Sequence, residues 1–186
     1  MDTIISIIPE LRRLHLVNVG PWADTSFEFV PRINIIHGSS GCGKSFILRA
    51  LVSSSHEYLT ARRGSNGGTV TVEYAGSEFR YELPERFARD AEDFASLSQG
   101  QKIMRLLHQT LRQTKQGCCI CMEADVFGCL DAGNCARAGK MINQTESQFI
   151  IVFPNSLKPE IFGSLRVFEC RYDLPTESAS VQTIDL

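Results

Sequence analysis

The pattern of apolar and polar positions predicts strands in the first half of the chain and alternating strands and helices in the second. Between Leu11 and Val19, the apolar Leu11, Leu14, Leu16 and Val17 mix with Arg12, Arg13, His15 and Asn18, which predicts a strand. Gly20-Pro21-Trp22 predicts a turn, and Ser26-Phe27-Glu28-Phe29-Val30 a returning strand with period two that Pro31 ends. Arg32 to His37 is short, mostly apolar and rich in β-branched residues, so it predicts a third strand; Phe46 to Val52 carries the apolar face of a helix. After the polar, glycine-rich stretch from Arg62 to Gly68, Thr69–Tyr74 and Glu78–Leu83 flank the turn Ala75-Gly76-Ser77 as a β-hairpin.

Further along, Phe87 and Phe94 share one helical face of a charged segment, and Ile103, Leu106, Leu107 and Leu111 fall at helical spacing before Gly117. Cys118–Met122 reads as a buried strand, Asn134–Gln144 as a helix, and Ser147–Phe153 and Leu165–Cys170 as strands. The Ser/Thr-rich tail from Pro175 is expected to be loose until Val181–Ile184. Strands alternating with helices imply a parallel sheet with crossover helices. The fold class is therefore α/β, with antiparallel hairpins first and a mainly parallel sheet after them.

Between the third strand and its helix stands Gly38-Ser39-Ser40-Gly41-Cys42-Gly43-Lys44-Ser45, the pattern G-x-x-x-x-G-K-[ST] in the strand–loop–helix setting that a phosphate-binding P-loop needs. Glycines let the backbone curl so that successive N–H groups point inward at phosphate oxygens, and the helix offers its positive end to the same anion. Lys44 is expected to reach the β and γ phosphates, and Ser45 to hold Mg2+ through its hydroxyl. The plain alternative is a Gly/Ser loop that matches by chance.

Composition narrows the picture little. The 186 residues suffice for one domain with a real core, and a net charge of −2 gives no global basic signature for nucleic acid. Arg12-Arg13, Arg62-Arg63 and Lys102 with Arg105 are local basic clusters, equally readable as solvated surface. No apolar run approaches the length of a membrane helix, and the first nine residues lack the basic region of a signal peptide. Seven cysteines, an odd count, without a secretory signal suit a reducing intracellular compartment. The C-x-x-C of Cys118 and Cys121, followed by Cys129 and Cys135, is conceivable as a zinc site; the favoured reading is small core residues on a buried strand.

The stretch Leu97-Ser98-Gln99-Gly100-Gln101 resembles the LSGGQ signature of ABC-type ATPases. The opening hairpin, Asn34-Ile35-Ile36-His37-Gly38, the turn Arg62-Arg63-Gly64-Ser65 and the acidic run from Glu123 to Asn134 are similar to the heads of SMC/RecF-type members, with the greatest likeness to the sixth eukaryotic SMC type. The resemblance implies a head that binds ATP and Mg2+ through Gly38, Ser39, Ser40, Gly41, Cys42, Gly43, Lys44 and Ser45. It implies that Ser98, Gly100 and Gln101 cap the ATP of a second head, a homodimer partner or a paralogue, with Asp131 in the D-loop at that interface. Arg63 would sit in the arginine turn near nucleotide and DNA.

Departures from the family pattern matter as much. Met122 stands where the Walker B aspartate is expected, and a thioether is no hard oxygen ligand for Mg2+. Glu123 fits the carboxylate that orients the attacking water, together with Lys44 on the phosphates. Asp125 is the alternative, because it stands six residues before Asp131 whereas Glu123 stands eight, and the family spacing is the shorter one. Both carboxylates being ordinary loop residues also remains open. No Q-loop glutamine is evident before the signature, and the SMC arms and hinge are missing. Residues 1–186 are therefore expected to form one head, with a P-loop lobe at 11–83, a short joint at 84–95 where arms would emerge, a signature and Walker B lobe at 96–174, and a loose tail at 175–186. The function so implied is slow ATP hydrolysis in DNA repair or chromosome organisation, with no membrane. The alternatives are a non-hydrolysing, nucleotide-gated dimerisation module and, ranked lower, a transporter ATPase subunit.

Overall fold

The computed structural model describes residues 5–52, 59–83, 117–123, 130–153 and 165–186, with isolated positions at 104, 107, 110, 111, 114 and 162. Its strands are β1 (Ile5–Pro9), β2 (Leu11–Val19), β3 (Trp22–Glu28), β4 (Ile33–Gly38), β5 (Gly68–Tyr74), β6 (Ser77–Leu83), β7 (Cys118–Glu123), β8 (Gln148–Val152), β9 (Leu165–Asp173) and β10 (Ser178–Asp185). Among the described residues, the continuous helices are α1 (Lys44–Leu51) and α2 (Ala132–Asn143). All the strands join one ten-stranded sheet in the order β1-β7-β8-β4-β9-β10-β3-β2-β5-β6.

The centre of the sheet is parallel. β8 lies between β7 and β4, and β4 between β8 and β9, every pair parallel. Both faces of this part are covered, which is why its strands read as nearly continuous apolar runs rather than alternating ones. Ile33, Ile35, Ile120, Met122, Phe149, Ile151, Leu165 and Val167 pack on one face with Ala138 and Ile142 of α2. On the other face Ile36, Cys119, Cys121, Ile150, Val152, Phe168 and Cys170 pack with Ile47, Leu48 and Leu51 of α1. The cysteines at 119 and 121 are thus core residues, and among the described residues no three metal-ligating side chains gather.

The other end of the sheet is antiparallel. β2 pairs with β3 and with β5, and β5 with β6. Leu14, Leu16, Val70, Val72 and Phe27 line the buried side, and the Arg13–Glu28 ion pair (3.0 Å) and the His15–Asp24 hydrogen bond (2.7 Å) lie on the solvated side. This is the period-two alternation of a half-buried sheet.

Two buried amides fasten the halves together. Gln148 at the start of β8 accepts from Leu11 N–H at 2.8 Å and donates to the carbonyls of Leu11 (2.7 Å) and Val30 (2.8 Å). Asn34 of β4 accepts from Val30 N–H at 2.9 Å and donates to the carbonyls of Val30 (2.8 Å) and Phe149 (3.2 Å). Buried polar groups need such partners, so each amide fixes where the first hairpin docks on the parallel sheet.

The tail corrects an expectation. Residues 175–186 are not loose: β10 pairs antiparallel with β9 from Ser178 opposite Asp173 to Asp185 opposite Arg166, and Ala179 stands parallel to Trp22. Ala179 N–H donates to Pro21 O at 2.9 Å, and the Asp173 carboxylate closes the turn by accepting from Thr176 N–H (3.2 Å) and Oγ1 (2.6 Å). The small Ala179 and the single Val181 form the buried side among serines and threonines, a half-buried strand with too few large apolar residues to announce itself. β3 likewise begins at Trp22, earlier than the predicted Ser26, and the antiparallel pairing of β1 with β7 was not anticipated.

Replacing Gln148 by Leu should deprive the Leu11 N–H and the Leu11 carbonyl of their amide partner in the interior, while the Val30 carbonyl keeps Asn34, a loss of about 2–4 kcal/mol. The melting temperature should fall by roughly 5–15 °C, whereas Gln182→Ala on the exposed side of β10 should leave it nearly unchanged.

Candidate functional site

The loop from Gly38 to Gly43 leaves β4 and enters α1 through backbone conformations that glycine alone adopts easily. Gly41 has φ +84° and Gly43 φ +93°, both left-handed. Gly43 has a steric reason as well, because a Cβ there would lie 2.5 Å from Pro21 Cγ and 2.8 Å from Trp22 Nε1. The Trp22 indole donates to Gly43 O at 3.3 Å, so the first hairpin turn buttresses the end of the loop. At Gly38 a Cβ would come within 2.1 Å of the Cys170 carbonyl oxygen, so β4 can pair with β9 to its last residue only with bare backbone there.

Ser39, Ser40 and Gly41 are exposed, while Cys42 beneath them is fully buried. The Lys44 ammonium folds back into the curl, donating to Gly38 O at 2.6 Å and Ser39 O at 2.7 Å, with Cys42 Sγ at 3.7 Å. The atoms it meets in these contacts are two carbonyl oxygens and one sulfur. The cap residue Gly43 offers no side-chain hydrogen bond, and the first turn of α1 holds no acidic residue, so the helix's own first turn does not compensate its positive end. An exposed glycine-bearing curl, a lysine held by oxygens and an uncompensated helix start fit a polyphosphate; the exposed Ser45, one residue into the helix, fits its metal ion.

Cys42 and Cys170 form a coupled pair under the loop. The hydrogen bond from Cys170 brings the Cys42 thiol down to about 6, aided by the Lys44 charge and opposed by burial. Cys170, bonded to that sulfur and buried, is pushed well up. The pair thus holds one negative charge readily and a second hardly at all. Sequence reading took Cys42 as a loop position only; its partner, in a strand far along the chain, carries no local signal.

The acidic stretch is placed in part. Glu123 ends β7 in register with Val152 of β8. Strand alternation gives it the face of Cys119 and Cys121, which is the face covered by α1. Met122 belongs to the opposite face, fully buried with Ile120, Phe149 and Ile151. Asp131 is the N-cap of α2: its carboxylate accepts from Asn134 N–H at 2.8 Å and Asn134 Nδ2 at 3.0 Å. Asp125 and the stretch with Ser98, Gly100 and Gln101 lie outside the described residues. In the turn at 62–65, Arg62 donates to the carbonyls of Thr176 (3.1 Å) and Glu177 (3.3 Å), which gives it a structural task in holding the β9–β10 turn; Arg63 is exposed.

A strand, a glycine curl holding a lysine, and a helix on a parallel sheet with an antiparallel wing define a P-loop NTPase of the SMC head type. The chain belongs to the AAA domain family, whose model matches residues 13–148. In fold it is similar to the SMC head domain from Thermotoga maritima, with a TM-score of 0.59 and 15% identity over 95% of this chain and 100% of that one. It is also similar to an SMC head bound to the C-winged helix domain of ScpA, with a TM-score of 0.60 and 10% identity over 96% of this chain and 98% of that one. No curated protein matches the sequence significantly. Among the described residues no helix is long and apolar enough to cross a membrane.

Gly43→Ala should displace the loop from Pro21 and Trp22 and weaken the binding of a fluorescent ATP analogue by about tenfold or more, equivalent to about 1.4 kcal/mol. Gly41→Ala, whose Cβ would meet nothing within 4 Å, should lose less, through backbone strain alone.

Proposed function

We propose that the chain is an ATP-binding SMC/RecF-like head that pairs with a second head around nucleotide, hydrolyses ATP slowly, and serves DNA repair or chromosome organisation. The observation that carries this reading is Lys44 within the glycine curl at the uncompensated start of α1. Bound there, ATP with Mg2+ supplies the triphosphate and the charge that completes the site. Gly38 to Lys44 would hold the phosphates, Ser45 the metal and Glu123 the attacking water, Asp125 being the alternative. Ser98, Gly100 and Gln101 would cap the partner's ATP, and Asp131 would stand at the shared interface while capping its own helix. The lobes at 11–83 and 96–174 would form one head, joined through Gln148 and Asn34, with arms leaving near 84–95 in relatives that possess them. Within the SMC class, the sequence features favour the sixth eukaryotic type, and thus a nuclear setting if the organism is eukaryotic.

A second reading, a nucleotide-gated dimerisation module that does not turn ATP over, is favoured by Met122, whose apolar side chain lies in the core where the family places a metal-steering carboxylate. Sedimentation with and without ATP and Mg2+, with phosphate release followed on the same sample, separates the readings. ATP-dependent dimers with slow release are expected. Dimers without release establish the second reading, and a monomer in both conditions refutes each. Lys44→Ala should abolish the nucleotide response, and a Lys44→Ala protein of unchanged affinity would remove the loop from the account.

We propose further that Arg63 contacts DNA. Duplex affinity should fall on Arg63→Ala and decline with rising salt in the parent protein. Arg62→Ala should instead lower thermal stability, since its guanidinium holds the turn at 174–177; binding indifferent to salt would exclude the DNA proposal.

A further inference from the structure

Four buried cysteines, Cys42, Cys119, Cys121 and Cys170, share the apolar cluster under α1. Cys119 and Cys121 are two residues apart on one strand with sulfurs at 4.0 Å, and burial raises the Cys119 thiol well above its ordinary range, which makes it inert. Cys42 and Cys170 are as buried but are placed differently. They come from separate elements, the phosphate-type loop and β9. Both border one backbone position, since a Cβ built on Gly38 would lie 2.9 Å from Cys42 Sγ and 2.9 Å from the Cys170 carbonyl carbon. Gly38, the residue paired with Cys170 in the sheet, separates them only by bare backbone: the position of its missing Cβ is 2.9 Å from Cys42 Sγ. A lysine ammonium lies 3.7 Å from Cys42 Sγ and favours the thiolate, the form that reacts. The cover is thin, since Ser39, Ser40 and Gly41 above it are exposed.

We propose that Cys42 and Cys170 are a peroxide-oxidised thiol pair, with Cys42 as the attacking sulfur and Cys170 as its resolving partner, and that the resulting disulfide disables the loop. In the first step the Cys42 thiolate attacks one oxygen of hydrogen peroxide. An S–O bond forms, the O–O bond breaks, and hydroxide leaves; sulfur is oxidised and peroxide reduced. In the second step the Cys170 sulfur attacks the sulfenic sulfur of Cys42. The S–S bond forms, the S–O bond breaks, and the hydroxyl departs with the Cys170 proton as water.

The consequence for the loop follows from distance and charge. A disulfide holds the two sulfurs about 2.0 Å apart, which ties the middle of the loop to β9. It also removes the anion beside Lys44. The amides that would face a phosphate are therefore shifted just where the loop leaves its glycine. This consequence rests on the nucleotide-binding reading above; the bond itself does not.

The test treats the reduced full-length chain with hydrogen peroxide and maps peptides by mass spectrometry. The expected product is a Cys42–Cys170 crosslinked peptide two hydrogens lighter than its parts, reversed by dithiothreitol. In Cys170→Ser, dimedone should label Cys42; in Cys42→Ser, neither the crosslink nor any label at Cys170 should form. Binding of a fluorescent ATP analogue should be lost on oxidation and regained on reduction, and saturating ATP with Mg2+ should slow the crosslink. Oxidation that leaves Cys42 and Cys170 unlinked, or that joins Cys119 to Cys121 instead, overturns the proposal. A crosslink that leaves nucleotide binding intact overturns the claim that it disables the loop. Failure of the reduced protein to bind nucleotide, with the crosslink still formed, refutes the nucleotide reading alone.

Discussion

The close approach of β4 to β9 at Gly38 is the constraint on which the rest of the site depends. A side chain there would collide with the Cys170 carbonyl at 2.1 Å, so the two strands stay paired to the last residue only because Gly38 has none. Held to that end point, the chain must turn sharply over β9 to reach α1, and it does so through Gly41 and Gly43 at positive φ. The turn brings Lys44 back onto the carbonyls of Gly38 and Ser39 and sets Cys42 Sγ over Gly38, the residue in register with Cys170. Geometry at one backbone contact thus fixes the position of a charge, a curl of amides and a sulfur pair.

The antiparallel wing supports this arrangement. Its first turn places Pro21 and Trp22 against Gly43, and Phe46 of α1 occupies the space where a side chain on Gly20 would sit. The same turn receives a hydrogen bond from Ala179 of β10. Gln148 and Asn34 then bind the hairpin to the parallel sheet through backbone carbonyls and amides that need partners in an apolar interior. Loop, hairpin, tail strand and central sheet therefore act as one unit, and disturbance at any of them reaches the loop by contact.

Charge is arranged sparingly around the loop. Lys44 donates to the neutral carbonyls of Gly38 and Ser39, and a triphosphate would offer it stronger, charged acceptors. On β7, adjacent residues serve opposite faces: Met122 fills the core beside α2, while Glu123 takes the face of α1. An apolar side chain at 122 leaves the work of any carboxylate to its neighbours. Asp131 caps α2, so whatever it does at an interface is done from a rigid start of helix.

Patterns local in sequence were legible. The glycine spacing and the lysine identified the loop because backbone conformation there is dictated by residue type. Period-two runs revealed β2, β5 and β6, and continuous apolar runs revealed β7 and β8, because burial on one or both faces leaves those signatures. The AAA domain match and the SMC head fold agree with that reading. What only the tertiary structure decided depends on residues distant in the chain. β10 was hidden because a strand with few large apolar residues is held by its neighbour's backbone, and β1 because its short apolar run gains meaning only beside β7. Arg62 became structural through carbonyls more than a hundred residues away. Cys170 became the companion of Cys42 through a strand pairing that no spacing encodes. Sequence alone determined conformations and faces, which are set by each residue and its near neighbours; the fold chose the partners, because pairing energy depends on which surfaces meet.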